Sequence, residues 1–311
     1  MGVLVHAVSI GGSLTSILQG RQMAGTVHSV FRRAVNLHDE AGEIVSVLAA
    51  ELGNSPRGIL VDVAEDEDFR SMGVTPGASF RASCQEIIFG SLHVSLRGAR
   101  LWGPEPPLPV PLEHRDQEHL FRVLQAVIRE LGSRDGLWDT HFTAGMEGAG
   151  LGDARGKPCA TIWSVLATPR IGQLVDAWRQ RDLSQATRAA SELVGLGPGL
   201  TPSGDDFLGG CLALLALGSS TREEQERVAR LGDAILDVAR TRTNVISYTM
   251  LKDSARGRPA ERVRELIAAL LTSAPANARE PALRLLRCGS SSGTDSALGV
   301  LTGLRMLPAA A

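Results

Sequence analysis

The residues best suited to chemistry lie in a glycine-rich segment in the second half of the chain. Residues 195–206 read Gly-Leu-Gly-Pro-Gly-Leu-Thr-Pro-Ser-Gly-Asp-Asp and lead directly into an apolar run that starts at Phe207. The glycines permit positive φ angles, while the two prolines restrict the backbone. Asp205 and Asp206 could orient an amino group or accept its proton, and the sequence does not decide which of them would do so. We therefore predict that these two carboxylates are catalytic.

The start of the helix predicted after this segment is suited to binding a small anion. The first amide groups of a helix have no partner within the helix and lie at the positive end of its dipole. Small side chains around such amides are what an anion site requires. Ser203, Asp205 or Asp206 could also cap this helix. The segment therefore predicts further substrate-binding residues, which are Gly197, Gly199, Thr201, Ser203 and Gly204.

A second segment, residues 289–295, repeats the end of the first. Its last four residues, Ser-Gly-Thr-Asp at 292–295, align with Ser-Gly-Asp-Asp at 203–206. Four residues beyond each final Asp there is a glycine, Gly210 in one copy and Gly299 in the other, and a glycine at this place permits two helices to approach closely. The repeat predicts two helix starts around one pocket. It adds Ser292, Gly293 and Asp295 to the predicted substrate-binding residues.

Helix capping without any further function is the alternative interpretation of both segments. Ser, Gly and Asp are common before helices, and the second segment alone would carry little weight. Two neighbouring Asp residues at a helix start gain about 0.3–1 kcal/mol each from the helix dipole. Capping and dipole effects do not account for the glycines of the first segment, so we favour a functional site there.

The hydrophobic pattern changes character in the middle of the chain. Apolar and polar residues alternate in Thr26–Arg33 and Ser91–Leu96, which is typical of strands. Five prolines crowd residues 104–111, where missing amide donors oppose both strands and helices. Helical spacing dominates after this stretch. The pattern predicts an α+β fold, with a mainly β domain at 1–112 and a mainly α-helical domain at 113–311 that carries both loops.

The composition excludes several classes of protein. Apolar residues make up 43% and charged residues 21% of the 311 residues, and the net charge is −2. These values give no reason to expect binding to nucleic acid or to a membrane. The most apolar run, Phe207–Leu217, is shorter than the roughly 20 residues of a membrane span. The four cysteines are widely spaced, which favours reduced thiols and a cytoplasmic location, with no metal site.

The segment 195–206 resembles the signature of the family that contains the third, AllH-type, subunit of oxamate carbamoyltransferase. The resemblance is highly specific only in this segment, but it extends over most of the chain. It includes the Arg-Ala-Val-Asn-Leu stretch at 33–37, Thr243 with Ser247, Gly257, and the stretch 292–295. The resemblance implies that Asn36, Thr243 and Ser247 also bind substrate.

The resemblance also implies an activity and partners. Members of this family are expected to transfer a carbamoyl group between carbamoyl phosphate and the nitrogen of oxamate in the degradation of purine-derived ureides such as allantoin. They are expected to act with an FdrA-like subunit and one further subunit. Both substrates are small anions, and the transfer needs no redox cofactor, so no cofactor is predicted. A non-catalytic subunit that binds a small anion or acts as a scaffold remains the alternative, since no nucleophile–base pair is visible in the sequence.

Overall fold

The computed structural model describes residues 2–103, 114–141, 161–272 and 278–308. It falls into two compact units, Met1–Glu105 and Pro106–Ala311. The strands lie in the first unit and the long helices in the second, so the predicted α+β class is confirmed. The proline-rich stretch at 104–111, on which the predicted boundary rests, lies outside the described residues.

The first unit is a nine-stranded sheet with one short α-helix. The strands are β1 (Val3–Gly11), β2 (Met23–Val30), β3 (Ala34–Asp39), β4 (Ile44–Ala49), β5 (Gly58–Asp62), β6 (Ser79–Ala82), β7 (Glu86–Phe89), β8 (Leu92–Ser95) and β9 (Arg100–Trp102), and helix α1 (Thr15–Leu18) follows β1. The strand order is β5-β4-β3-β2-β6-β7-β8-β1-β9, and β1 pairs with β5 as well as with β8. This extra pairing closes the sheet on itself. Alternate residues of the strands then point to one enclosed core.

The prediction of a strand at Thr26–Arg33 is wrong about where the strand ends. Strand β2 stops at Val30, and the chain turns before β3 begins at Ala34. The turn is fixed by Arg33, whose guanidinium donates to the carbonyl oxygens of Ala64 and Glu67 at 2.8 Å. A long-range contact of this kind leaves no trace in the local alternation of apolar residues.

The second unit is built from nine helices within the described residues. They are α2 (His114–Leu131), α3 (Ile162–Arg179), α4 (Leu183–Ser191), α5 (Ser203–Gly218), α6 (Arg222–Arg242), α7 (Val245–Ala255), α8 (Glu261–Thr272), α9 (Arg279–Leu286) and α10 (Ser292–Met306). Helices α5 and α10 are buried along almost their whole length, as expected for helices with apolar residues on every side. No helix of the described ranges is long and apolar enough to cross a membrane.

The crossing of α5 and α10 depends on the two glycines of the repeat. A Cβ atom on Gly210 would lie closer than 3.0 Å to the Ser296 carbonyl oxygen, and one on Gly299 equally close to that of Phe207. Phe207 and Ser296 occupy equivalent positions in the two copies of the repeat. The contact is therefore reciprocal, as in an interface with local two-fold symmetry. The predicted close approach of these helices is confirmed.

Substituting Gly299 by alanine should destabilise the helical unit. The added methyl group would overlap the backbone of α5, so we expect a loss on the order of 1–3 kcal/mol or more in the free energy of unfolding. Gly172 in α3 is the matched control, because a Cβ atom there meets nothing within 4 Å. Gly172→Ala should leave stability unchanged or raise it by up to about 1 kcal/mol. Urea unfolding followed by circular dichroism measures both, and equal stability of the two variants would contradict this account of the crossing.

Candidate functional site

The glycine-rich loop before α5 adopts the backbone conformation that its composition predicts. Gly195, Gly197 and Gly199 have φ angles of +72°, +115° and +96°. L-residues with side chains rarely adopt these values. The amide of Gly195 donates to Asp205 Oδ1 at 2.8 Å, so the loop is tied to the helix that follows it. This hydrogen bond fixes the position of the loop at its first glycine.

The predicted cap of α5 is wrong. Pro202 occupies the N-cap position, and no side chain caps the helix. The Pro202 carbonyl oxygen accepts the amides of Asp205 and Asp206 at 2.9 and 3.1 Å, and the amide of Gly204 donates to Leu196 at 2.8 Å. The prediction that the first amides of α5 are free for an anion is therefore wrong for Gly204 and Asp205, while the Asp206 amide makes the ordinary first hydrogen bond of the helix. The loop folds back over the helix start, and its own carbonyl groups occupy the amides.

Asp205 connects three segments of the chain through its contacts. It is 3% exposed, and besides the Gly195 amide it accepts the hydroxyl of Thr243, which follows α6. Burial raises the pKa of Asp205, while the Thr243 hydroxyl, the Gly195 amide and the Ser247 hydroxyl oppose the shift. The predicted residues Thr243 and Ser247 thus lie beside Asp205. Both Asp205 oxygens are used to hold the loop and the start of α7.

Asp206 and Asp295 are the other two carboxyl groups of the site, and both are deeply buried. They are the equivalent residues of the repeat and are 2% and 0% exposed. Burial raises the pKa of Asp206 well above its usual value, the Ser292 and Thr201 hydroxyls oppose the shift, and the charge of Asp295 adds to it. Burial raises the pKa of Asp295 to about 6. Within the described part of the chain, Oδ2 of each residue is buried without a hydrogen bond.

Each copy of the repeat places a hydroxyl group beside the carboxyl group of the other copy. Ser292 at the start of α10 acts on Asp206 of α5, and Ser203 at the start of α5 acts on Asp295 of α10. Thr201 and Ser292 are half-buried, and their hydroxyl oxygens lie 3.0 Å apart. The prediction that the two loops lie together is confirmed. The site is a partly exposed layer of hydroxyl groups above a buried pair of carboxyl groups.

The second loop also holds a segment that the sequence analysis did not identify. Thr294 Oγ1 accepts the amide of Ser133, and Asp295 Oδ1 accepts that of Leu137, at 2.9 and 2.8 Å. Gly136, with a φ angle of +67°, lies against the Asp295 carboxyl group. These partners are about 160 residues away in sequence. Gly136, which follows α2, is the local sequence feature that could have indicated this contact.

The remaining predicted residues have structural contacts of their own. A Cβ atom on Gly204 or Gly293 would lie closer than 3.0 Å to a carbonyl group, so both glycines permit close backbone packing. Asn36 lies in β3 of the first unit, where its amide group donates to Ser29 at 3.0 Å and accepts from Ser46 at 2.7 Å. A role for Asn36 in substrate binding stays a prediction. Among the described side chains, no group of three or more His, Cys, Asp and Glu could hold a metal ion.

Comparison with known families gives two matches that together span most of the chain. Residues 193–304 match the family model described as oxamate carbamoyltransferase subunit AllH. Residues 6–101 match the model of the AllH family N-terminal domain. The first match contains both loops and the second contains Asn36. No solved structure matches the chain.

The buried carboxyl pair should make stability fall as pH rises. Asp295 has a pKa of about 6 in the folded chain, against about 4 when unfolded. The folded chain therefore binds more protons between these values, and the stability contributed by protonation is present below about pH 4 and lost as pH rises through about 6. The difference is on the order of 3 kcal/mol. The raised pKa of Asp206 acts in the same direction.

Urea unfolding at a series of pH values measures this dependence. Asp295→Asn keeps the size of the side chain and the acceptor for Leu137, so we expect a smaller fall in stability with pH than in the unsubstituted chain. Asp176→Asn, at an exposed position of α3, is the control for a lost carboxylate. If Asp295→Asn and Asp176→Asn show the same pH dependence, Asp295 does not hold a proton in the folded state.

Proposed function

This chain belongs to the AllH family of oxamate carbamoyltransferase subunits, and we propose that it works in a complex that moves a carbamoyl group between carbamoyl phosphate and oxamate. The observation that carries this proposal is the match at 193–304, which contains both loops and all three buried carboxyl groups of the site. The partners we propose are an FdrA-like subunit and one further subunit, in the cytoplasm.

The transfer requires two charge movements that the site is suited to assist. A bond forms between the oxamate nitrogen and the carbamoyl carbon, and the bond between that carbon and the phosphate oxygen breaks. The nitrogen loses a proton, and negative charge grows on the carbonyl oxygen and on the departing phosphate. Donors placed at these oxygens and an acceptor for the proton would accelerate the reaction.

We assign different roles to the two neighbouring aspartates. Asp205 has both oxygens engaged by Gly195 and Thr243, which suits a positioning residue. Asp206 has an oxygen without a hydrogen bond among the described residues and lies below the hydroxyls of Thr201 and Ser292. We propose that Asp206 exchanges protons with the substrates through this hydroxyl layer.

A protonated Asp206 also resolves an electrostatic problem. Two anionic substrates would be repelled by a site with three ionised carboxylates. Burial raises the pKa of Asp206 well above its usual value, which favours the neutral form of this group, a hydrogen-bond donor. Burial raises the pKa of Asp295 to about 6, so this group can lose its proton near neutral pH and then accept one. A neutral Asp206 and an ionised Asp295 would together provide a donor and an acceptor.

A non-catalytic scaffold is the second candidate, and one observation favours it. The amides of Gly204 and Asp205, which belong to the helix start that was expected to bind an anion, are already used by carbonyl groups of the chain. A loop occupied in this way suits a subunit that holds its partners together. Carbamoyl transfer by the purified chain, compared with that by the reconstituted complex, separates a catalytic subunit from a scaffold.

Asp206→Asn in the reconstituted complex should reduce carbamoyl transfer from carbamoyl phosphate to oxamate by a factor of about 10²–10⁴. The side chain keeps its size, so the melting temperature should change little. Activity of the unsubstituted complex should fall at high pH, where Asp206 loses its proton. Initial rates across a pH series, with melting curves of the same preparations, measure both effects.

Asp205→Asn and Asp176→Asn are the comparison variants. Asp205→Asn replaces the acceptor of the Thr243 hydroxyl, so we expect a loss of about 1–3 kcal/mol in stability and a higher KM with a smaller change in kcat. Asp176→Asn should leave both measurements unchanged. Near-normal turnover of Asp206→Asn would remove the proposed proton exchange and leave the scaffold as the better account.

A further inference from the structure

A cavity of about 510 Å³ lies at the opposite end of α5 and α10 from the carboxyl groups. Its apolar lining includes Leu215 near the end of α5, Met306 at the end of α10 and Trp178 of α3, which are 1%, 4% and 4% exposed. The volume lies within the range of small-molecule sites, about 300–1,000 Å³. The cavity shares no lining residue with the site described above.

Four arginines and two glutamates line this cavity, and the glutamates are already engaged. Glu223 pairs with Arg181, and Glu224 accepts the amides of Ser220 and Thr221 at the start of α6. The other three arginines have no carboxylate partner within the described ranges. They are Arg179, Arg227 and Arg305. The cavity therefore has an excess of positive charge.

Arg227 shows the excess of positive charge in the cavity most directly. Its guanidinium lies over the Trp178 ring, 3.7 Å from the ring centroid, and donates to the Trp178 carbonyl oxygen. Its Nε is buried, with no acceptor among the described residues. Burial lowers the pKa of Arg227, and the positive charge of Arg181 lowers it further, while the charges of Glu223 and Glu224 oppose the shift. A buried guanidinium N–H without an acceptor is unfavourable, and a bound anion would offset this cost.

Arg179 and Arg305 are arranged beside this residue. Nε of Arg179 donates to the Arg305 carbonyl oxygen at 3.2 Å, which ties the end of α3 to the end of α10. Both side chains are exposed. Guanidinium groups bind carboxylate and phosphate groups through paired hydrogen bonds. The two groups and Arg227 offer three such donors around one apolar floor.

We propose that this cavity binds a small polyanion that carries two or more carboxylate or phosphate groups. The three arginines without carboxylate partners bind the charged groups, and the floor formed by Trp178 and Met306 contacts the body of the ligand. The site is independent of the proposed carbamoyl transfer, because it uses none of the residues assigned to that reaction.

Calorimetric titration of the purified chain with pyrophosphate and, separately, with citrate tests this site. We expect saturable binding of one molecule of at least one of these probes per chain, weakened at high salt. The double variant R179Q/R305Q should bind about tenfold more weakly or worse, because it loses two charge-assisted contacts. These side chains are exposed, so the variant should fold normally, and its melting temperature checks this.

Arg240→Gln is the matched control. Arg240 is an exposed residue of α6 that does not line the cavity, and its ion pair with Asp237 is 3.8 Å long. This variant should bind the probe as the unsubstituted chain does. Absence of saturable binding for both probes would overturn the proposal. Equal weakening in R240Q and in R179Q/R305Q would also overturn it, since that result indicates non-specific attraction to a basic surface.

Discussion

The contact on which the helical unit depends is the reciprocal packing of α5 against α10. Gly210 and Gly299 allow each helix to approach the backbone of the other, and side chains at either position would separate them. This approach aligns the two copies of the Ser-Gly-x-Asp repeat. Asp206 and Asp295 then face the hydroxyl groups of the opposite helix start. The site is thus a product of backbone contact between two helices rather than of one loop.

Burial of three carboxyl groups in this place is costly unless each is compensated. Asp205 is compensated by donors from the Gly195 amide and the Thr243 hydroxyl. The pair Asp206 and Asp295 has fewer donors, so retention of a proton offsets part of the cost. Asp205 therefore serves the loop structure, while the other two carboxyl groups keep the capacity for chemistry. Neighbours in sequence have different tasks because their partners come from different elements.

Features carried by local spacing could be predicted from the sequence, and features that depend on distant contacts could not. The repeat at 203–206 and 292–295 predicted the meeting of the two loops and the role of Gly210 and Gly299. The closure of the sheet, the contact of Asp295 with Leu137 and the arginine-lined cavity join residues far apart in the chain. No local pattern encodes them.

The wrong prediction of the cap of α5 has a physical reason. Asp is a residue type that often caps helices, but α5 begins at Ser203 with Pro202 at the N-cap, so Asp205 and Asp206 lie within its first turn. In the folded chain the loop turns back, so that carbonyl groups of Leu196 and Pro202 take the amides instead. The carboxylates are thereby released from capping and become available to other partners.

The glycine crossing has a mechanical consequence. Side chains between two helices can change rotamer and so allow small sliding motions, but the α5–α10 contact at Gly210 and Gly299 is backbone against backbone. A contact between two backbones is rigid. When the charge of the buried carboxyl pair changes, the helices cannot move apart to relieve the repulsion.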